Sequence, residues 1–183
     1  VVLPEHMKRE ESAHRDQMQD QHDGKSTGHA DLGFIHFPIL FAGFSAIEYK
    51  DQLLLVGGLG VGASHFELLR NVTLIDPASG YNRELAPLPF ATFAPAAEIL
   101  GDDLLVFGGM FKAGAAEYDY VSHVYAMGLS KNTWRHTGRF LSEAKGFAQV
   151  VPFDGGLAIL GGHRYFADRD APVATFEMFR KMK

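Results

Sequence analysis

Apolar runs that end in paired glycines divide the chain at regular intervals. The runs read LLLVGG from residue 53, LLVFGG from residue 104 and LAILGG from residue 157, so the glycine pairs begin 51 and 53 residues apart. A period of this size is typical of propeller and solenoid arrays. Between the pairs, short apolar stretches alternate with turns rich in Gly, Asp and Pro. The pattern therefore predicts an all-β fold built from repeated small sheets.

Each repeat is predicted to form one four-stranded sheet, and the third repeat is predicted to be incomplete. The repeats occupy residues 44–89, 90–142 and 143–183. The predicted strands are 44–49, 53–57, 72–75 and one from Tyr81 in the first repeat, 95–100, 104–107, 121–127 and 133–136 in the second, and 147–151, 157–160 and 172–179 in the third.

Two kinds of residue recur where neighbouring sheets are expected to pack. Tyr81 and Trp134 each lie 27 residues before the next glycine pair, and a large aromatic ring can fill the wider space between two sheets. Glycine permits a positive φ and a close approach of two backbones. The predicted packing residues are Tyr81, Trp134, Gly57, Gly58, Gly108, Gly109, Gly161 and Gly162.

Composition limits the function classes. The chain has 183 residues, of which 46% are hydrophobic and 21% charged, which is enough for one domain with a core. The net charge of -5 speaks against nucleic-acid binding. The longest uncharged run, residues 32–47, falls short of the ~18 residues of a membrane-spanning helix. We therefore predict a soluble protein, and the compartment stays open between the cytoplasm and the periplasm or exterior because the chain has no cysteine.

Residues 1–31 differ from the repeats and are predicted to form a polar, histidine-rich arm, either disordered or helical. In a helix, His14, Met18 and His22 would lie on one face. Imidazole and thioether groups suit soft metals such as copper, so these three residues are candidate metal ligands. The alternative is a polar arm that contains histidine by chance. No cofactor is predicted for the rest of the chain.

A glycine-rich segment in the first repeat imitates a dinucleotide-binding loop. Residues 58–63, GLGVGA, fit the G-x-G-x-x-A pattern after a predicted strand, and Asp76 ends the next strand. However, glycine pairs also occur at Gly108 and Gly161 without the third glycine. The pair therefore belongs to the repeat, and a nucleotide site is the less favoured interpretation.

The loops that follow the glycine pairs are the predicted place for function, because all three leave the same end of their sheets. Their cationic, histidine and tyrosine side chains suit a protein or a small hydroxylated or anionic ligand. Solvated surface charge is the alternative for any one of them. The candidate binding residues are Arg70, Lys112, Glu117, Lys145, His163, Arg164 and Tyr165.

The repeat resembles the kelch repeat. The resemblance covers about residues 40–183 and is carried by the three glycine pairs, the Asp76-Pro77 turn, Tyr81 and Trp134. It implies a kelch-type β-propeller of four-stranded blades, of which this chain holds about three. Propellers close with at least four blades. We therefore expect the missing blades to come from a longer chain or from self-association, and we expect the chain to serve as a binding module.

Within kelch proteins, the second and third repeats most resemble bacterial sialic acid mutarotases. The carrying residues are Trp134, Gly138, Leu141, Gly146 and the LAILGG run. Such an enzyme would need an acid–base pair to open and reclose the sugar ring, and a cation for the carboxylate. Arg70 and His163 are the candidate catalytic residues of this alternative function, while Leu59 stands where a glutamate is expected.

Overall fold

The strands of the chain form antiparallel sheets that follow the glycine-pair period. A computed structural model describes residues 42–61, 66–114, 117–166 and 169–181. They fall in the second of two structural units, Ile35–Lys183. Within these ranges the chain forms strands and turns but no helix, which confirms the predicted all-β class. The predicted arm with His14, Met18 and His22 lies outside the described residues.

Three sheets, which we call blades, repeat one topology. Each begins with an inner strand that pairs with the strand ending at the glycine pair, and the third strand pairs with the other edge of that second strand. Blades one and two add a fourth, outer strand. The blade strands are β1 (Ser45–Tyr49), β2 (Gln52–Val56), β5 (Val72–Ile75) and β6 (Asn82–Glu84); β7 (Ala96–Leu100), β8 (Asp103–Phe107), β11 (His123–Gly128) and β12 (Thr133–Phe140); and β13 (Gln149–Phe153), β14 (Gly156–Leu160) and β17 (Phe176–Phe179).

A small two-stranded hairpin interrupts each blade between its second and third strands. The sequence predicts only loops there, because three-residue strands are too short to show a clear alternation of apolar and polar positions. The third hairpin also corrects one predicted strand, since residues 172–179 divide between the end of this hairpin and β17. The hairpin strands are β3 (Leu59–Val61) with β4 (Phe66–Leu68), β9 (Met110–Lys112) with β10 (Tyr118–Tyr120), and β15 (His163–Phe166) with β16 (Arg169–Pro172).

The hydrophobic core lies between the blades. Leu54 and Val72 of blade one pack with Leu104 and Met127 of blade two in one buried cluster. A second cluster joins blade two to blade three, with Phe107 and Ala126 against Leu157 and Ile159. The alternation of strand side chains explains this arrangement, because each blade turns one apolar face to each neighbour.

The glycine pairs join one blade to the next. Gly57, Gly108 and Gly161 have φ angles of 64°, 61° and 60°, and the second glycines have 110°, 104° and 111°. Gly58 N–H donates to the Thr92 carbonyl, and Gly109 N–H donates to the Lys145 carbonyl, both at 2.8 Å. Positive φ and backbone contact both favour glycine. The antiparallel β3–β4 hairpin after Gly58, with β2 antiparallel to β5, also rules out the parallel crossover of a dinucleotide-binding unit.

The two predicted packing aromatics have different positions. Trp134 packs against the cluster between blades one and two, and its indole N–H donates to the Ala86 carbonyl at 2.8 Å. Tyr81 is 65% exposed and lies just before β6. It therefore does not fill the space between two blades, because the chain is still in the turn that begins at Asp76 when it reaches Tyr81.

Candidate functional site

The three hairpins lie at the same end of their blades and form a surface that we call the hairpin face. The first residue of each hairpin is bridged to a residue that precedes the inner strand of its own blade or of the next one. The antiparallel bridges are Ala42 with Leu59, Phe93 with Met110, and Gly146 with His163. The hairpin face therefore surrounds the place where the inner strands begin.

The inner strands of the three blades line a groove that opens at this face. Its volume is about 290 Å³, and it is lined by residues 43–46, 94–98 and 147–150. Ser45, Glu98 and Gln149 are its polar side chains, and Ser45 donates a hydrogen bond of 2.6 Å to the Pro95 carbonyl. The lining thus offers a carboxylate, an amide and a hydroxyl among small apolar residues.

Backbone hydrogen bonds connect the three blades around the mouth of the groove. Ala94 N–H donates to the Gly43 carbonyl at 2.7 Å, and Phe147 N–H donates to the Ala94 carbonyl at 2.9 Å. These three residues occupy equivalent positions, 14 residues before each glycine pair, and all have a positive φ between 50° and 59°. Each blade is thereby fixed to the one before it at the rim of the groove.

Phe147 combines a strained backbone with an exposed aromatic ring. Its φ of 56° is unusual for a bulky residue, yet its side chain is 44% exposed. The ring makes edge contacts with Phe93, at 5.3 Å between centroids, and with His163, at 5.7 Å. Strained residues are enriched at binding sites, so this position favours a functional role for the rim.

Two tyrosines and an aspartate connect the hairpins of blades two and three. Tyr120 is buried, and its hydroxyl donates to Asp170 Oδ1 at 3.1 Å. The Tyr165 ring lies 5.1 Å from the Tyr120 ring and is 42% exposed. Burial, together with the hydrogen bond to Asp170 and its charge, raises the pKa of Tyr120. Burial and the charges of Asp170 and Asp119 raise the pKa of Tyr165. Both phenols therefore keep their protons at neutral pH and can donate hydrogen bonds.

The ammonium group of Lys145 is completely buried. Its Nζ lies 2.6 Å from Thr175 Oγ1 and 2.6 Å from Glu177 Oε1, and the Ser142 amide donates to the other oxygen of Glu177 at 2.7 Å. Burial alone would raise the pKa of Glu177, but the hydrogen bonds from Lys145 and Ser142 outweigh it and hold this pKa below its usual range. The structure thus places this predicted binding residue inside an ion pair beneath the surface.

The other predicted binding residues lie at or near the hairpin face but do not converge on one point. Arg70 donates from Nε to the Leu88 carbonyl at 2.5 Å, between blades one and two. Lys112 and Glu117 are exposed on the second hairpin. Arg164 Nη1 lies 2.7 Å from Glu143 Oε2, an ion pair that is not aligned as a hydrogen bond. His163, Arg164 and Tyr165 are thus the predicted residues that the structure brings together at the groove mouth.

Sequence reasoning missed the groove and its rim. Phe147 could have been found by counting back 14 residues from each glycine pair, which also gives Gly43 and Ala94. The Tyr120–Asp170 contact carries no such signal, because its two residues belong to different hairpins 50 residues apart. In the described ranges, no three His, Cys, Asp or Glu side chains are grouped to hold a metal ion, and no helix could span a membrane.

Comparison with solved structures places the chain in a known fold. It matches the structure of YjhT with a TM-score of 0.62 and 17% sequence identity, and the match covers 86% of this chain and 46% of YjhT. The chain therefore spans less than half the length of that structure. At this identity the likeness shows the fold alone, and it supports a distant kelch-type fold. No family model and no curated protein matches the chain.

Proposed function

We propose that the chain is a kelch-propeller binding module that takes a protein or a small hydroxylated or anionic ligand on its hairpin face. The observation that carries this proposal is the groove of about 290 Å³ that opens beside Phe147 and His163. Concave sites with aromatic walls and a few polar groups are the usual places for ligands. The kelch-type fold supports the proposal but does not choose the ligand.

The side chains at the mouth favour a ligand with hydroxyl groups and a negative charge. Arg164 carries a guanidinium that is 38% exposed, and Tyr165 keeps its proton and is 42% exposed. Charge-assisted hydrogen bonds from a guanidinium to a carboxylate are among the stronger polar contacts. Glu143 holds Arg164 by one ion pair and leaves this side chain partly exposed. A ligand carboxylate could therefore bind on its exposed side.

The proposal is tested with N-acetylneuraminate, a polyhydroxylated acid, in an NMR titration of the ¹⁵N-labelled chain. We expect amide shifts at Phe147, His163 and Tyr165 that saturate with ligand. Arg164→Glu should weaken binding at least tenfold, because it replaces the cation by a second carboxylate beside Glu143. Arg83→Glu is the matched control on the exposed outer strand of blade one and should leave binding unchanged.

The opposite change sharpens this test. Glu143→Gln removes the carboxylate that competes for Arg164 and should leave binding as tight or make it tighter. If the sugar causes no saturable shifts, or if Arg164→Glu binds it as well as the parent chain does, an anionic sugar at the hairpin face is ruled out. Acidic peptides would then be the next probe.

Sialic acid mutarotation is the second candidate function, and the sequence resemblance of the second and third blades favours it. It requires an acid–base pair at the bound sugar, for which His163 at the groove mouth and Arg70 are the candidates. The same samples test it, because NMR follows the exchange of the α and β anomers directly. Exchange no faster than in buffer would exclude the enzyme while leaving the binding result intact.

The proposal also includes partners for the outward face of blade three. Val151, Phe153, Leu160 and Phe176 are between 37% and 58% exposed on this face. Leu160 directly precedes its glycine pair, as do Val56 in blade one and Phe107 in blade two, and both of those are buried between blades. We propose that a further blade packs on this face, from a longer chain or from another copy.

A further inference from the structure

The third strand of blade three has one unoccupied edge within the part of the chain that the structure describes. β5 lies between β2 and β6, and β11 lies between β8 and β12. β17 has the same position in blade three, but its sheet has the order β13-β14-β17. An open strand edge presents backbone donors and acceptors that an added strand can bind.

The backbone groups that face this edge follow from the equivalent strands. In blades one and two, the Val72 carbonyl accepts from Leu85 N–H at 2.8 Å and the Val124 carbonyl accepts from the Thr137 hydroxyl at 2.7 Å. Phe176 takes this position in β17, because it pairs with the last residue of β14 as Val72 pairs with the last residue of β2. Phe176 and Met178 therefore point their N–H and C=O groups toward the open edge, and Glu177 points its own toward β14.

A cavity of about 220 Å³ adjoins this edge, between blades two and three. Trp134 fills the corresponding place between blades one and two. It lies opposite Met127 and donates to the Ala86 carbonyl. In blade three, Phe179 is the equivalent of Met127, since both pair with the first leucine of the glycine-pair run. Arg139 is the equivalent of Ala86, since each lies 22 residues before a glycine pair, and both Phe179 and Arg139 line the cavity.

We propose that the edge of β17 and this cavity form a binding site for an extended polypeptide strand that carries an aromatic residue. The strand runs antiparallel to β17 and bonds to Phe176 and Met178. A tryptophan or tyrosine opposite Phe179 places its ring in the cavity and donates from its N–H or O–H group to the Arg139 carbonyl. The Arg139 guanidinium, 4.5 Å from the Phe179 ring centroid, lies beside this ring. The site does not involve the hairpin face, so it stands or falls independently of the proposed ligand.

The test uses a synthetic peptide of residues 129–141, because this segment already makes the equivalent contacts in blade two. The peptide is added to the ¹⁵N-labelled 183-residue chain, and amide hydrogen exchange is followed by NMR. We expect exchange to slow at Phe176 and Met178 and to stay unchanged at Glu177, whose N–H group already faces β14. Trp134→Ala in the peptide should weaken binding at least tenfold, since burying an aromatic ring contributes about 1.5–3 kcal/mol. Trp134→Tyr in the peptide should bind within a few-fold of the parent.

Three results would overturn the proposal. The first is the absence of binding at millimolar peptide. The second is a Trp134→Ala peptide that binds as tightly as the parent, since the cavity would then have no part in recognition. The third is full protection of Phe176 and Met178 before any peptide is added, because the edge would then already be occupied.

Discussion

Replacing Lys145 by methionine is expected to lower the free energy of unfolding by about 3 kcal/mol. Methionine keeps the length of the buried side chain but removes its charge and its donors. Glu177 then loses the ammonium 2.6 Å away while its side chain stays only 19% exposed. A carboxylate that is partly removed from water without a counter-charge is costly. The unfolding free energy, measured by urea denaturation, checks the value.

Two control variants separate the ion pair from general effects of the substitution. Lys131→Met changes an exposed lysine in the turn between β11 and β12 and should shift stability by less than about 0.5 kcal/mol. The double variant Lys145→Met, Glu177→Gln should recover part of the loss, because neither charge then remains buried. If the double variant is as unstable as the sum of its single changes, Lys145 contributes by packing and not by its charge.

The same pair predicts how stability depends on pH. The pKa of Glu177 is lowered in the folded chain, so its contribution is fully present above the unfolded value of about 4.5 and is lost as the pH falls through the folded value. The parent chain should therefore lose stability on acidification more steeply than Lys145→Met does. Equal slopes below about pH 5 would show that Glu177 gains nothing from Lys145.

The repeat could be predicted from the sequence because its signals are local. The strand Val72–Ile75 has the predicted bounds, and most other blade strands agree within two residues. Paired glycines and apolar runs mark places where the backbone itself is constrained, and such constraints need no knowledge of partners. Trp134 is predictable in the same way, since its spacing from the glycine pair is fixed by the blade.

The site could be predicted only in outline because its contacts are long-range. Its spacing from the glycine pair assigns Lys145 to a surface, whereas the structure shows it buried against Thr175 and Glu177, which lie 30 and 32 residues later. Position in a repeat gives the place of a backbone atom but not the depth of a side chain, which depends on the neighbouring blade. The equivalent position in blade two is Thr92, which is equally buried and needs no counter-charge.

Replacing Gly108 by alanine is expected to cost about 2 kcal/mol more than the same change at Gly161. Both glycines begin a glycine pair, and their φ angles are 61° and 60°, so the strain of placing alanine in the left-handed region, about 1–2 kcal/mol, is common to both. A Cβ at Gly108 would lie 2.2 Å from the Lys145 carbonyl oxygen, whereas at Gly161 its nearest neighbour is the Val173 carbonyl oxygen at 3.5 Å. The Lys145 carbonyl cannot move away cheaply because it also accepts from Gly109.

Urea denaturation of the two variants and of Gly80→Ala measures this difference. Gly80 has a φ of 69°, and no heavy atom lies within 4 Å of the position that an alanine methyl group would take there, so Gly80→Ala reports the backbone strain alone. Gly161→Ala should resemble Gly80→Ala, and Gly108→Ala should be far less stable, with overpacking adding about 1–3 kcal/mol to the strain. Equal losses at Gly108 and Gly161 would mean that the contact between blades two and three yields easily. A large loss at Gly108 alone locates the constraint in the connection that carries Lys145, where one carbonyl fixes blade three against blade two.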